Sequence, residues 1–260
     1  NYVLANSTAK FNQHNAYQDM ANVLTLVNPT KDFGYLSNDK EFNLFRPTQA
    51  LRILADPSIH DKDYKVPSEF INFMDNFIPD AQQRGYLLSL LRTKLTTFEY
   101  SPVIPYIIGV QGSGKGNLMT IIENIIGSQY VSKDVQGKNF ISDFNKGFLE
   151  NKYFVNINEL SEGLTTHQER QKAQGDLKNY SGSTTFQCHG KGTNVYQAEM
   201  KAMFILTANH NPLDIEDGDR RVYYISTPNK FVESPQCIAS KDVSTIHRAM
   251  MSQTNDIAYY

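Results

Sequence analysis

Apolar residues recur at helical spacing in two segments of the first hundred positions. The first segment begins at Pro67 and carries Phe70, Phe73, Met74 and Phe77. The second follows Pro79-Asp80 and carries Tyr86, Leu87, Leu90, Leu91 and Leu95. Spacings of three and four residues place these side chains on one face, so the pattern predicts two amphipathic helices. The aromatic stripe is compatible with base stacking, but helical spacing favours packing in a core.

The segment before Pro67 has weaker patterns. Apolar positions between Tyr17 and Val27 predict a helix that ends at Pro29. The runs 33–36 and 42–45 flank the polar residues 37–39 and predict a short hairpin. The remaining residues up to Pro67 are predicted to form loops.

From about residue 100, short apolar runs alternate with helical patterns, which is typical of a three-layer α/β sheet core. Strands are predicted at the apolar run that ends near Gly109 and at 153–160, 203–209 and 222–225. Three parts follow from this pattern: an N-terminal mainly helical region at 1–98, a core at 99–230 and a C-terminal helical segment at 231–260. The first part could serve as a collar for oligomerisation, and the last has no assigned function.

Composition and charge exclude several kinds of function for this chain. The 260 residues are 40% hydrophobic with a net charge of −2, which argues against a broadly basic nucleic-acid surface. No apolar run approaches the roughly 20 residues of a membrane span, so no membrane association is expected. Cys188 and Cys237 predict no disulfide framework, and Cys188-His189 lacks a second pair at zinc-ligand spacing. A cytoplasmic protein is expected, and the start at Asn1 suggests a piece of a longer polypeptide.

A glycine-rich loop follows the first core strand and precedes a helical pattern. Glycines let backbone N–H groups wrap a polyphosphate, a lysine adds a positive charge, and a helix begins there with its positive end. The candidate nucleotide-binding residues are Gly109, Gly112, Ser113, Gly114, Lys115, Gly116 and Asn117. The hydroxyl residue that usually follows the lysine and holds Mg²⁺ is replaced by Gly116.

Polar residues that end the later strands supply the other groups for nucleotide hydrolysis. Glu159 can orient or deprotonate a water, and Asn209 can bind that water or the outer phosphate. Arg220 and Arg221 precede the last strand and can stabilise developing negative charge. Each residue taken singly has another interpretation: Glu159 as a solvated strand end, Asn209 as a turn residue and Arg220 as part of a surface ion pair. Their order along the chain and their positions at strand ends favour catalysis.

Residues 184–196 form two β-prone arms around Gly190-Lys191-Gly192. This pattern predicts a hairpin with a cation at its tip. A tip that only contacts solvent is the alternative interpretation.

These motifs together resemble the superfamily-three helicases, a class of AAA+ ATPases in viral, phage and plasmid replication. More narrowly, the chain is similar to the helicase part of phage primase-helicases and primase-polymerases. The resemblance covers roughly residues 65–230. Its motifs lie at 106–117, 154–159, 178–191, 204–209 and 219–221.

The resemblance implies a hexameric ring that hydrolyses ATP at subunit interfaces and translocates on single-stranded DNA, usually 3′ to 5′. It implies that Lys115 binds the outer phosphates, Glu159 is the catalytic acid/base and Asn209 is the sensor. Arg220 would be an arginine finger that reaches the ATP of the neighbouring subunit. Arg221 would either have a structural role or assist Arg220. Lys191, helped by His189, would bind DNA at the tip of the hairpin. If the protein is phage-encoded, its compartment is the host cytoplasm.

The family's motif with Glu159 usually contains an acidic pair, whereas Asn158 precedes Glu159 here. Together with Gly116, this removes oxygen ligands that Mg²⁺ favours and leaves Glu159 and Asn158 as the metal candidates. Two alternatives therefore stay open: a ring scaffold that binds ATP with weak hydrolysis, and a nucleotide kinase. The kinase is disfavoured because kinases generally place this loop near the start of the chain.

Overall fold

A computed structural model of the chain describes residues 24–26, 29, 34–35, 41–55, 64–160, 163–192, 194–209 and 219–260. The chain divides into two compact units, residues 1–47 and 48–260. The boundaries predicted at 98/99 and 230/231 stay predictions.

The first unit contains a small three-stranded sheet. Strands β1 (Leu24–Leu26) and β2 (Gly34–Tyr35) both pair with β3 (Glu41–Asn43), β1 in parallel and β2 in antiparallel orientation. The predicted hairpin is confirmed, with Tyr35 opposite Phe42. The prediction of a helix is wrong at residues 24–26, where pairing with β3 outweighs the helical spacing, and its remainder lies outside the described residues.

Among the described residues of the second unit, three helices precede the core sheet. They are α1 (Gln49–Ala55), α2 (Ser68–Phe77) and α3 (Ala81–Thr97). The last two confirm the predicted amphipathic helices, and Asp80 caps α3 by accepting the N–H groups of Gln82 and Gln83. Helix α1 lies where loops are predicted, so that prediction is wrong. Its seven residues bury Ala50, Leu51 and Ile53, too few to establish a helical period.

The core is a five-stranded sheet in which every neighbouring pair is parallel. The strands are β4 (Ile104–Gly109), β5 (Val131–Gln136), β6 (Phe154–Asn158), β9 (Met203–Ala208) and β10 (Val222–Thr227). Their spatial order is β10-β4-β9-β6-β5, so β10 and β5 form the two outer strands. All six residues of β9 are buried, as expected for an inner strand covered on both faces. The predicted α/β fold is confirmed.

Helices and a second hairpin complete the unit. The helices are α4 (Lys115–Ile126), α5 (Gly137–Phe140), α6 (Lys146–Leu149), α7 (His167–Tyr180), α8 (Pro235–Ser240), α9 (Val243–Ser252) and α10 (Thr254–Tyr259). Short 3₁₀ turns also lie at Ser128–Tyr130 and Phe231–Glu233. Strands β7 (Thr185–Cys188) and β8 (Tyr196–Glu199) pair antiparallel, which confirms the predicted hairpin arms. The predicted C-terminal helix is α9, and it buries Met250.

The hydrophobic core between the sheet and α7 fixes the strand register. Tyr106, Ile157 and Leu206 from three adjacent strands pack with Ala173 and Leu177 of α7. Both cysteines are buried and free, so no disulfide joins them. None of the helices in the described ranges combines the length and apolar character needed to cross a bilayer.

Candidate nucleotide site and nucleic-acid hairpin

The glycine-rich loop lies between the end of β4 and the start of α4, as its sequence predicts. Gly112 and Gly114 adopt φ angles of 82° and 111°, which side chains with a Cβ rarely tolerate. Gly109 is required for a different reason. A Cβ there would lie 2.0 Å from the carbonyl oxygen of Thr227, so only glycine lets β10 approach this closely.

Neighbouring elements hold this loop in place. The N–H of Phe231 donates to the carbonyl oxygen of Gly112 at 2.8 Å. The Phe73 ring packs against Gly114 so closely that a Cβ on Gly114 would lie 2.6 Å from a ring carbon. Ser113 is fully buried, and its Oγ lies 3.2 Å from the Oγ1 of Thr227. Thr227, Phe231 and the contact between Phe73 and the loop were not predicted, because they come from distant parts of the chain.

The loop has the donors that a polyphosphate needs. Within the part of the chain that the structure describes, the backbone N–H groups of Gly112 and Gly114 have no hydrogen-bond partner. Lys115 Nζ donates to the carbonyl oxygens of Gly109 and Val110 at 3.0 and 3.1 Å. Burial lowers the pKa of Lys115, and the Glu159 carboxylate opposes that shift. The residues present therefore fit a bound polyphosphate.

Three predicted site residues meet at the carboxyl edge of the sheet. Lys115 Nζ donates to Asn209 Oδ1 at 3.0 Å, and the backbone N–H of Asn209 donates to Glu159 Oε1 at 2.7 Å. This contact arises because β9 lies directly between β4 and β6, so the residue after β9 lies between the residues after its two neighbours. Lys115, Asn209 and Glu159 thus form one hydrogen-bonded network.

Glu159 is held in an unusual backbone conformation. Its φ is +46°, a left-handed value that is uncommon for residues other than glycine. Its N–H donates to the carbonyl oxygen of Thr207 at 2.8 Å, which turns the chain sharply at the end of β6. Strained backbone of this kind is concentrated at functional sites, because the surrounding structure must stabilise it.

Two asparagines and a threonine form the second layer behind Glu159. The hydroxyl of Thr207 lies 3.1 Å from the Oδ1 atoms of both Asn156 and Asn158. Asn156 and Thr207 were not predicted, although polar residues in otherwise apolar buried strands are a signal that could have identified them. Asn158 is therefore tied to β9 through the hydroxyl of Thr207.

The metal candidates at this edge are limited in number. Glu159 supplies one carboxylate and Asn158 one amide oxygen, which are the ligand types that Mg²⁺ takes. Gly116 has no side chain, and a Cβ there would meet nothing within 4 Å. Among the described residues, no three His, Cys, Asp or Glu side chains form a cluster that could hold a metal ion. Phosphate oxygens and water would have to complete the coordination of Mg²⁺.

The two arginines lie at the opposite edge of the sheet. The carbonyl oxygen of Arg221 accepts the N–H of Ile104 at 2.7 Å, which places the arginine segment beside the start of β4. Since β4 has six residues, about 17 Å of strand separates this segment from the glycine-rich loop. Arg220 and Arg221 therefore do not reach the candidate nucleotide site of their own chain.

The environments of the two arginines differ. Arg220 is exposed. Arg221 is partly buried and lies 3.8 Å from the Asp219 carboxylate. It borders a small cavity together with Leu177 of α7 and Ser181, the residue that follows that helix. Arg220 is thus the arginine that faces outward, and Arg221 packs within its own chain.

The β7–β8 hairpin is connected to the core through residues 144–146. The Asn145 side chain donates to the carbonyl oxygen of Gln187 and accepts the N–H of His189, at 2.8 and 2.9 Å. The rings of Phe144 and His189 lie 4.8 Å apart, and Lys191 is exposed at the tip. The hairpin geometry is thus confirmed, while the DNA-binding roles of His189 and Lys191 stay predictions. Asn145 and Phe144 were not predicted, since they lie about forty residues before the hairpin.

Comparisons with known proteins agree with this architecture. A family model described as a family of unknown function (DUF5906) matches residues 107–221. The chain is 28% identical over 195 residues to the DNA primase-polymerase of Nitratiruptor phage NrS-1. That alignment covers 75% of this chain and 26% of the relative, so the chain spans only part of the curated relative's length.

Solved structures show the same fold. An apo structure of the NrS-1 C-terminal region, residues 305–718, superposes with a TM-score of 0.76 at 24% identity, over 92% of this chain and 54% of that one. The A form of the apo C-terminal region gives a TM-score of 0.73, again at 24% identity, over 92% and 55% of the two chains. These findings confirm the predicted resemblance to a phage primase-polymerase.

Proposed function

We propose that this chain is an ATP-hydrolysing motor of phage DNA replication that translocates on single-stranded DNA as a homo-oligomeric ring, hexameric by the family resemblance. The proposal rests on one observation. Lys115, Asn209 and Glu159 meet at one edge of the sheet, whereas the exposed Arg220 lies at the other. Two copies arranged head to tail would bring Arg220 of one copy to the phosphate-binding residues of the next, and repetition of that contact closes a ring.

Each residue has a defined role in this mechanism. Lys115 would exchange its contacts with the Gly109 and Val110 carbonyl oxygens for the outer phosphate oxygens of ATP. The Glu159 carboxylate would orient and deprotonate the attacking water, and Asn209 would bind that water or the γ-phosphate. Mg²⁺, when bound with ATP, neutralises phosphate charge, and Glu159 and Asn158 are the side chains that would hold it.

The network also suggests how Asn209 responds to a nucleotide. Glu159 Oε1 accepts the Asn209 N–H, and Asn209 Oδ1 accepts from Lys115. A nucleotide that draws Lys115 toward its phosphates removes the second of these contacts. The Asn209 side chain is then free to bind the γ-phosphate or the attacking water, while its backbone N–H still orients Glu159.

The hairpin supports the coupling to DNA. Lys191 is exposed at its tip, and the Asn145 contacts hold the adjacent His189 backbone. One lysine per copy binds phosphate weakly, but a ring repeats it in every subunit, which reconciles DNA binding with a net charge of −2.

The deciding experiment measures steady-state ATPase activity with and without single-stranded DNA, alongside mass by light scattering. We expect turnover that DNA stimulates in a ring-sized species. Lys115→Ala should abolish it, because the outer phosphates lose their cation, while Lys138→Ala on the exposed surface serves as the matched control. A monomer that transfers phosphate to nucleoside monophosphates would overturn the proposal in favour of a kinase.

A ring scaffold that binds ATP with little hydrolysis is the second candidate. It is favoured by the missing hydroxyl at Gly116 and by the single carboxylate at the metal position. A ring that binds ATP but shows no turnover at saturating Mg²⁺ and DNA would establish this alternative.

A further inference from the structure

A second candidate site lies at the outer strand β5, away from the glycine-rich loop. It is an open cleft of about 520 Å³, which is within the size range of small-ligand sites. Strand β5 forms one wall with Asp134 and Val135, and the segment from α5 to α6 forms the other. The register of β5 against β6 shifts between Ser132 and Val135, an irregularity that redirects side chains at sheet edges.

The lining of the cleft suits a flat, uncharged ligand. Phe144 and Phe148 contribute aromatic surface, and Phe144 is 49% exposed, a large fraction for a phenylalanine. The side chains of Asp134 and Asn139 make no hydrogen bond within the described part of the chain. Both can therefore pair with the edge of a planar heterocycle.

The charges around the cleft argue against a phosphate ligand. Lys133 also lines the cleft, but its Nζ lies 2.8 Å from the Glu123 carboxylate, so its charge is compensated. Asp134 adds a negative charge that would repel a phosphate. An aromatic wall with a carboxylate and an amide at its rim instead matches a nucleobase, which stacks by its face and hydrogen-bonds by its edge.

The cleft and the β7–β8 hairpin share a wall. The Phe144 ring borders the cleft and packs against the His189 ring at 4.8 Å. The next two residues bind the hairpin backbone: Asn145 accepts the His189 N–H, and the Lys146 N–H donates to the His189 carbonyl oxygen at 3.1 Å. The segment 144–146 therefore connects the cleft directly to the hairpin that carries Lys191.

We propose that the cleft binds one unstacked base of single-stranded DNA, with Phe144 as the stacking surface and Asp134 as an acceptor for an exocyclic amino group. Cytosine offers such an amino group, whereas thymine presents a carbonyl oxygen at the same position. The site therefore prefers cytosine to thymine. This inference rests on the proposed function, because the hairpin must first hold the strand.

The test uses the full 260-residue chain and three labelled oligonucleotides of equal length: oligo(dC), oligo(dT) and an abasic backbone. Binding is measured by fluorescence anisotropy at mildly alkaline pH, where cytosine is unprotonated. Wild type should bind oligo(dC) about tenfold more tightly than oligo(dT), in the range of one base-specific contact. The abasic backbone should bind most weakly.

Gly147→Leu places a side chain in the cleft, since Gly147 lines it and a Cβ there would meet nothing within 4 Å. This variant should bring oligo(dC) and oligo(dT) to the affinity of the abasic backbone. Gly175→Leu is the matched control, because Gly175 also lies on a helix with open space around it but outside the cleft. Its binding should equal that of wild type.

Asp134→Ala separates base recognition from stacking and from folding. Asp134 is exposed, so its loss should leave the fold intact even where Gly147→Leu does not fold. In this variant the affinity for oligo(dC) should fall to the affinity for oligo(dT). Both oligonucleotides should still bind more tightly than the abasic backbone, because their bases stack on Phe144. Equal binding of oligo(dC) and oligo(dT) to wild type, or a cytosine preference that survives Asp134→Ala, would overturn the inference.

Lys191→Ala distinguishes the two proposals. If Lys191→Ala lowers the affinity for all three oligonucleotides equally, the hairpin contacts DNA, regardless of whether the cleft binds a base. If Lys191→Ala weakens none of them, the DNA-binding part of the proposed function is wrong, and a cytosine preference would then place the strand elsewhere than on the hairpin.

Discussion

The two edges of the five-stranded sheet differ in what they contain. At the carboxyl edge, Lys115, Asn209 and Glu159 lie within hydrogen-bonding distance of one another. At the amino edge, Arg221 pairs with Asp219 inside its own chain while Arg220 is exposed. The first edge carries candidate phosphate-binding and water-activating groups, and the second carries an exposed arginine far from them. Under the proposed function, one copy would hold the two halves of a hydrolytic site on opposite edges, and a second copy would be needed to join them.

The sharpest test of this comparison removes the group at the amino edge. We expect Arg220→Ala to lower kcat about 10³-fold, as loss of an arginine finger does, because the developing negative charge then lacks its main cation. Mixing this variant with Lys115→Ala should restore activity. The intact Arg220 of a Lys115→Ala subunit can then complete the intact loop of its neighbour.

Arg92→Ala, an exposed change on α3, is the control and should retain wild-type turnover. If mass measurements show that the two variants assemble together without any recovery of ATPase activity, Arg220 does not act across an interface.

The next test alters the carboxyl edge alone. Glu159→Gln should lower kcat by about 10²-fold or more while ATP binding is retained, because glutamine accepts the Asn209 N–H but is not a base. Single-turnover kinetics and nucleotide titration separate the two effects. Glu123→Gln, which changes a carboxylate paired with Lys133, is the control. Unchanged turnover in Glu159→Gln would remove Glu159 from the mechanism.

A buried lysine stabilises the amino edge and gives a pH dependence. Lys94 Nζ donates to the carbonyl oxygens of Phe98 and Lys201, at 3.2 and 2.6 Å, and joins the end of α3 to the start of β9. Burial lowers the pKa of Lys94 to about 7, with Glu99 opposing the shift and Lys201 adding to it. The unfolded chain therefore binds more protons than the folded chain between pH 7 and the ordinary lysine pKa.

The sign of the effect on stability follows from that difference. The free energy of unfolding should rise above pH 7 by up to about 1.4 kcal/mol per pH unit. Urea unfolding across this range would measure the rise, and Lys94→Met should lose it. A rise that persists in Lys94→Met would assign the pH dependence to other groups.

The smallest expected effect concerns the metal. Gly116→Thr adds a hydroxyl in open space at the position where such loops usually hold Mg²⁺. The Mg²⁺ concentration for half-maximal ATPase activity should fall by about threefold to tenfold, since one oxygen ligand is gained. Gly116→Ala adds the same Cβ without the hydroxyl and should behave as wild type. An equal response of both variants would show that position 116 does not contact the metal.

Local patterns predicted part of the second unit. The helices α2 and α3, the β7–β8 arms and four of the five core strands each carry their signal within a short segment, because apolar period and turn residues are local properties. The outer strand β5 was not predicted, since only two of its six residues are buried. The same method failed at residues 24–26 and 49–55. Strand pairing with β3 determines the first of these, and burial of a seven-residue helix determines the second, so neither is decided by the segment itself.

The site divides in the same way. The glycine-rich loop, Glu159 and Asn209 were predictable because each follows an apolar strand at a recognisable position. Thr207, Thr227, Phe231 and Asn145 were not, because each contacts the site or the hairpin from a distant element. The residues next to them in the sequence do not indicate which loop each of them contacts.

The sequence by itself determined which residues can bind phosphate, activate water and offer a cation, since those capacities belong to the side chains and to the strand ends that carry them. Only the tertiary structure decided which of these groups meet. The order β10-β4-β9-β6-β5 places Asn209 between Lys115 and Glu159 and leaves the arginines at the other edge. The physical reason is that strand order depends on how the helices and strands pack over the whole core, and no local segment specifies that arrangement.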